Sequence, residues 1–185
     1  MKKLSVLAVV LLAWPAYADD DDRNRVRARL TGFQEVPSVS TVARGQFEAQ
    51  VSGGGQFIDF TLSYSGLQGT VTQAHIHVAQ RSVNGGIVIW LCQTATNPGP
   101  AGTQTCPQSG TVTGVIRAAD VVATALPPAG GQQIAAGELD EVLAAIRAGV
   151  AYANVHTNLS PGGEIRGQIR RRGDGDRGHG DRHEH

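Results

Sequence analysis

Gln73-Ala74-His75-Ile76-His77-Val78 alternates polar and apolar side chains. A period of two marks a β-strand and puts His75 and His77 on one face, with Ile76 on the other. Ile76 and Val78 are β-branched, which suits a strand. Two strand residues advance the chain by about 6.6 Å. Imidazoles at that spacing can converge on one ion through bonds of about 2.0–2.1 Å. A third histidine, His156, lies in a second strand pattern, Ala151-Tyr152-Ala153-Asn154-Val155-His156-Thr157. If these two strands are neighbours, one nitrogen from each ring is expected within about 3–4 Å of the others.

The same alternation continues outward from this stretch. It predicts strands at 26–30, 45–51, 57–64, 71–78, 87–91, 110–116, 151–156 and 163–169. Phe47, Ala49 and Val51 point inward, and so do Ile58, Phe60 and Leu62, leaving Phe57, Asp59 and Thr61 outside. Ser52-Gly53-Gly54-Gly55 and Ser160-Pro161-Gly162-Gly163 supply hairpin turns. One segment departs from this period. Leu139, Val142, Leu143 and Ile146 form an apolar helical stripe within 138–148, with acidic residues in the first turn, Arg147 in the last and Gly149 after it. The fold class that follows is all-β: an antiparallel, Greek-key-like β-sandwich or barrel of about eight strands with one short helix.

Composition agrees. Charged residues are 17%, against about 25% in an average domain. Glycine is 24 of 185 residues, which suits a turn-dense β fold. The 16 basic residues balance the 16 acidic ones. That neutrality gives no electrostatic argument for nucleic acid or for an anionic membrane. Gly53-Gly54-Gly55 joins two strands and opens no helix, so it is not a phosphate loop.

Residues 1–18 read as a signal peptide. Lys2 and Lys3 begin it, an apolar run from Leu4 to Ala13 follows, and Ala16-Tyr17-Ala18 is a small-x-small cleavage site. Cleavage near Ala18 implies a periplasmic or secreted product, with no membrane anchor in the mature chain. Losing Lys2 and Lys3 takes the formal charge from +0 to about −2. Residues 19–25 are an acidic, flexible leader, and 26–170 form the domain. Residues 171–185 are a tail of Gly, Asp, Arg and His with nothing to bury, expected to be disordered. Its His179, His183 and His185 suit weak metal binding. Cys92 and Cys106 are the only cysteines, and an even pair in an exported chain reads as a disulfide.

Several motifs together resemble the CHRD domain, which is named from its occurrence in chordin and is also found alone in exported bacterial proteins. They begin at Leu30-Thr31-Gly32-Phe33-Gln34-Glu35-Val36-Pro37, Gly45, Gly66-Leu67 and Ala74-His75-Ile76-His77. They continue from Leu143 to Gly149, then Tyr152-Ala153-Asn154-Val155-His156-Thr157 and Gly162-Gly163-Glu164-Ile165-Arg166-Gly167-Gln168-Ile169. The resemblance spans nearly the whole domain. It implies an all-β sandwich or barrel outside the cytoplasm and no particular chemistry. A second likeness is architectural. An H-x-H strand with a third histidine on a late strand is similar to the copper site of copper–zinc superoxide dismutases, which would make His75, His77 and His156 copper ligands. This chain departs from that pattern after the H-x-H strand, where residues 81–86 contain no His or Asp.

Three imidazoles suit zinc or copper, with Glu164 and Glu35 as the carboxylates to complete or support the shell. Glu164 and Arg166 share a strand face and could pair with each other or with a neighbouring strand, a cross-strand ion pair being the default expectation. No Ser or Cys nucleophile motif accompanies the histidines. The expected function is an exported, non-catalytic binding or structural domain that binds a metal, copper or zinc, or an extracytoplasmic protein or ligand. The alternative is a copper-dependent oxidoreductase.

Overall fold

The computed structural model describes residues 24–124 and 132–172. The expected signal peptide, most of the acidic leader, residues 125–131 and the tail from 173 lie outside these residues. Nine strands are present among the described residues: β1 (Arg25–Thr31), β2 (Arg44–Val51), β3 (Phe57–Ser65), β4 (Val71–Val78), β5 (Gly86–Cys92), β6 (Gly110–Arg117), β7 (Ala151–Thr157), β8 (Ile165–Gln168) and β9 (Arg170–Arg171). One α-helix, α1 (Leu139–Arg147), precedes β7.

The strands form a single sheet in the order β5-β4-β7-β8-β1-β2-β3-β6, with β9 also paired to β1. Every strand pairing is antiparallel. The hydrophobic pattern sets the register. Phe47 faces Leu62, Ala49 faces Phe60 and Val51 faces Ile58 across β2 and β3, so all six residues meet on the core side. The turn between them closes with a bond from Gly55 N–H to Ser52 O of 2.8 Å.

The sheet curls until its two edges nearly meet. The chain leaving β6 bridges Val121 to Ile89 of β5, and Val122 N–H donates to Val88 O at 2.9 Å. On the same seam a disulfide joins Cys92, the last residue of β5, to Cys106 ahead of β6, with Cα atoms 5.0 Å apart. The bond that the cysteine pair predicts therefore ties the two edges of a nearly closed barrel together.

Helix α1 buries Leu139, Val142, Leu143 and Ile146, the stripe read from the sequence. It stops in a Schellman motif. Gly149, at φ +72°, donates to Ile146 O, and Val150 N–H donates to Ala145 O. The next residue begins β7.

Two features differ from the sequence reading. The last predicted strand is split. Glu164 belongs to the preceding turn, β8 starts at Ile165, and β9 extends past the expected end of the domain by pairing Val26 with Arg171 and Arg27 with Arg170. Backbone pairing holds β9, so an apolar pattern gives no sign of it. Second, β7 and β8 are buried at every residue. Ala151, Ala153 and Val155 face the barrel core, together with Ile76 and Val78 of β4. The alternate residues are buried too, beneath the loops that follow β1, β4 and β7. That second face carries the site.

Candidate metal centre

On β4, strand parity places His75 and His77 side by side on the face away from the core. Across the ladder, Asn154 of β7 lies opposite His75 and Tyr152 opposite His77. An irregularity in the ladder between Val71 and Gln73 sets His156 opposite Gln73. The three histidines thus meet: His75 Nδ1 lies 3.2 Å from His156 Nε2. One nitrogen from each ring lies within 4.8 Å of the other two. That bound is looser than the expected 3–4 Å. Tetrahedral nitrogens on a common ion stand roughly 3.4 Å apart, whereas the 3.2 Å contact of His75 with His156 is a hydrogen bond through His75 Nδ1.

Backbone carbonyls orient two of the rings. His77 Nδ1 donates to Gly85 O at 3.0 Å, and His156 Nδ1 donates to Pro161 O at 2.8 Å. With Nδ1 protonated, the Nε2 of each ring carries the lone pair. This is the tautomer and the outer support that histidine ligands of metals commonly have. His75 Nδ1–H then donates to His156 Nε2, which leaves the lone pair of His75 on Nε2. Asn154 Oδ1 also stands 3.0 Å from His156 Nε2. The rings are wedged by aromatic neighbours: His75 meets the Trp90 ring edge-on at 4.3 Å, and His77 stacks on Tyr152 at 4.7 Å with an interplanar angle of 3°.

The electrostatics hold these rings neutral. Burial pulls His75 down to about 2, and the positive charge that His156 and His77 would carry adds to the effect. Burial likewise pulls His77 down to about 4, against the opposing pull of its bond to Gly85. His156 is lowered by burial, partly offset by its bond to Pro161. A neutral imidazole is the form that binds metal.

Burial leaves some of these atoms without partners. Among the described residues, three buried side-chain nitrogen or oxygen atoms have no hydrogen-bond partner: His75 Nε2, His77 Nε2 and Glu35 Oε1. All three lie on this face. Glu35, 4% exposed, is pushed up to about 7 by burial, with Arg166, the Val36 backbone and Asn154 pulling the other way. Gly163, at φ +125°, packs so closely on Glu35 that a Cβ there would strike the carboxylate.

Of the two candidate carboxylates, neither belongs to the three-histidine group. Glu35 faces the same polar layer. Glu164 is held by four donors. Its oxygens accept from Thr41 Oγ1 at 2.8 Å, Gln68 N–H at 2.8 Å, Gly69 N–H at 3.2 Å and Thr157 Oγ1 at 2.9 Å. Burial pushes its carboxyl up, but these donors outweigh that and hold it below the usual carboxylate range. Glu164 ties loops together.

The ion pair expected for Glu164 and Arg166, with each other or across strands, is replaced by other contacts. The Arg166 guanidinium lies 3.4 Å over the Tyr152 ring and donates to Val83 O, Gln80 O and Asn84 Oδ1. It completes a stack of His77, Tyr152 and Arg166. Sequence reasoning did not assign Tyr152, Asn154 and Arg166 to the site. Their signal was parity, because Tyr152, Asn154 and His156 alternate along one strand face.

A cleft of about 300 Å³ opens beside the layer, between Glu35, Pro37, Ser82 and Arg166. No helix among the described residues is long and apolar enough to cross a membrane. Comparison with curated proteins and with solved structures returned no match. A family model of the CHRD domain does match, over residues 26–169. The disulfide is consistent with the extracellular setting of such domains. The match takes in every strand from β2 to β8, the helix and all three histidines, and the chain belongs to the CHRD-domain family.

Proposed function

We propose that this CHRD domain is an exported binding domain that holds one zinc or copper ion through His75, His77 and His156. One observation carries this reading: the buried side-chain atoms without partners in the described residues are two ring nitrogens of this cluster and an oxygen of neighbouring Glu35. Buried polar groups are almost always paired, and leaving one unpaired costs about 1–3 kcal/mol. Several such atoms on one face fit a ligand that accepts lone pairs. The donor set fits a borderline cation; the rings are neutral, His75 and His77 present unpaired Nε2 atoms, and His156 Nε2 would exchange its bond from His75 Nδ1–H for the ion. Glu35, ionised, would offset part of the ion's charge.

Binding is favoured over turnover because the rings are at most 6% exposed. An ion there would be surrounded by protein. The test is thermal unfolding of the untagged protein with and without Zn²⁺ or Cu²⁺. A saturable rise in melting temperature that the His77→Ala and His156→Ala variants lose supports the reading. A rise of equal size in those variants contradicts it.

A further inference from the structure

The formal neutrality of the whole chain conceals a local separation of charge. Residues 24–172 hold eleven arginines and eight carboxylates, and two of those carboxylates, Glu35 and Glu164, are buried. The exposed arginines gather on one surface. A groove of about 1080 Å³ crosses the outer face of β9, β1, β2, β3 and the start of β6. Arg27, Arg29, Arg44, Arg81, Arg170 and Arg171 line it, and among the described residues no carboxylate does. Glu48 and Asp59 face the adjacent cleft, which Arg27 also borders. Arg27 and Arg170 are direct cross-strand partners. Like charges placed so are destabilising, and Glu48, which faces Arg27 from β2, offsets only one side of the pair.

The rest of the lining is neutral and includes Gln34, Gln46, Ser63 and Thr111. Arg29, Gln46, Ser63 and Thr111 occupy one row of the ladder across four strands. Interstrand spacings of about 4.8 Å make that row roughly 14 Å long. Ser63 and Thr111 hydroxyls bond each other at 2.9 Å, and Gln46 Nε2 donates to Glu48 Oε1 at 2.8 Å, at the border with the adjacent cleft. Among the described residues no exposed aromatic side chain lines the groove, since Tyr64 is buried.

From this we propose that the groove binds an anionic polysaccharide. Guanidiniums make paired hydrogen bonds to carboxylate or sulfate groups, and the row of amide and hydroxyl groups matches sugar hydroxyls. The absence of exposed aromatic surfaces in the groove disfavours single-stranded nucleic acid, whose bases need stacking platforms. The surface is separate from the three-histidine cluster, so this inference does not depend on a metal.

The test is direct binding of the full chain to a heparin oligosaccharide (sulfated) and to polygalacturonate (carboxylated). DNA of matched charge is the comparison. At least one polysaccharide should bind saturably, more tightly than DNA, and more weakly as salt rises. A combined Arg29→Gln, Arg44→Gln and Arg170→Gln variant should lose at least about tenfold in affinity, guided by a contribution of about 1.4 kcal/mol. A control with Arg117→Gln and Arg147→Gln should change less than twofold. All five residues are exposed, and each single variant should show a smaller step in the same direction if the combined one folds poorly. Equal or tighter binding of DNA, no saturable polysaccharide binding, or full affinity in the groove variants would overturn the proposal.

Discussion

The two faces of the β4–β7 strand pair are almost equally buried and opposite in chemistry. On the core side, Ala74, Ile76, Ala153 and Val155 need only close contact. On the far side, His75, His77, Tyr152, Asn154 and His156 are covered by loops, and each polar atom there needs a partner. The first face is complete as it stands. The second leaves two ring nitrogens and a carboxylate oxygen without partners. A sheet face that usually meets water has become a polar interior, and its stability depends on what binds there.

Substitution separates the two faces. Ile76→Ala on the core face should show the largest effect, a loss of about 2–5 kcal/mol. Urea unfolding should give the same loss with chelator and with zinc. On the far face the effect should depend on metal. Zinc at a hundredfold excess over Kd should stabilise the wild type by about 2.7 kcal/mol. His156→Ala should remove that increment, and Ile76→Ala should keep it. If Ile76→Ala also lost the zinc increment, the two faces would not be independent.

Glu164 sharpens the same contrast, because it is buried near the cluster's strands yet fully partnered. Glu164→Gln should cost about 1.5–3 kcal/mol through weakened charged hydrogen bonds. It should leave the zinc increment intact, as measured by the same unfolding series. Loss of the increment would return Glu164 to the ligand shell.

The smallest expected effect is on pH dependence without metal. The histidines are lowered when folded, to about 2 for His75 and about 4 for His77. Below the ordinary value of 6.5 the unfolded chain therefore binds more protons, and stability falls as pH drops through that window. Glu35, raised from 4.5 to about 7, acts in the opposite sense. Its contribution is full below 4.5 and is lost as pH rises through 7. Between pH 6.5 and 8 the wild type should lose about 1 kcal/mol that Glu35→Gln does not lose. Melting curves at the two pH values would show it, and identical slopes would mean that Glu35 does not hold its proton in the fold.

Much of this was legible in the residues. The parity of Gln73-Ala74-His75-Ile76-His77-Val78 fixed which side chains share a face, and the stripe at Leu139, Val142, Leu143 and Ile146 marked the helix. The convergence of His156 with the other two follows from the same alternation once β4 and β7 are neighbours. What stayed hidden depends on long-range packing. Glu164 finds its donors at Thr41, Gln68, Gly69 and Thr157, three of them far away in the chain. Arg166 stacks on Tyr152 and bonds a loop more than eighty residues earlier, so its closeness to Glu164 in sequence misled. Arg170 and Arg171 bury no apolar surface, and their pairing with β1 rests on backbone bonds that a hydrophobic pattern does not record.

The most direct test of the account is metal content, measured by mass spectrometry. The protein would be untagged, with His179, His183 and His185 replaced by alanine so that the tail contributes nothing. After equilibration with zinc or copper and removal of loosely held ions, about one ion per chain should remain, and the His77→Ala, His156→Ala double variant should retain none. No retained ion, or the same amount in the double variant, would contradict a metal centre at His75, His77 and His156.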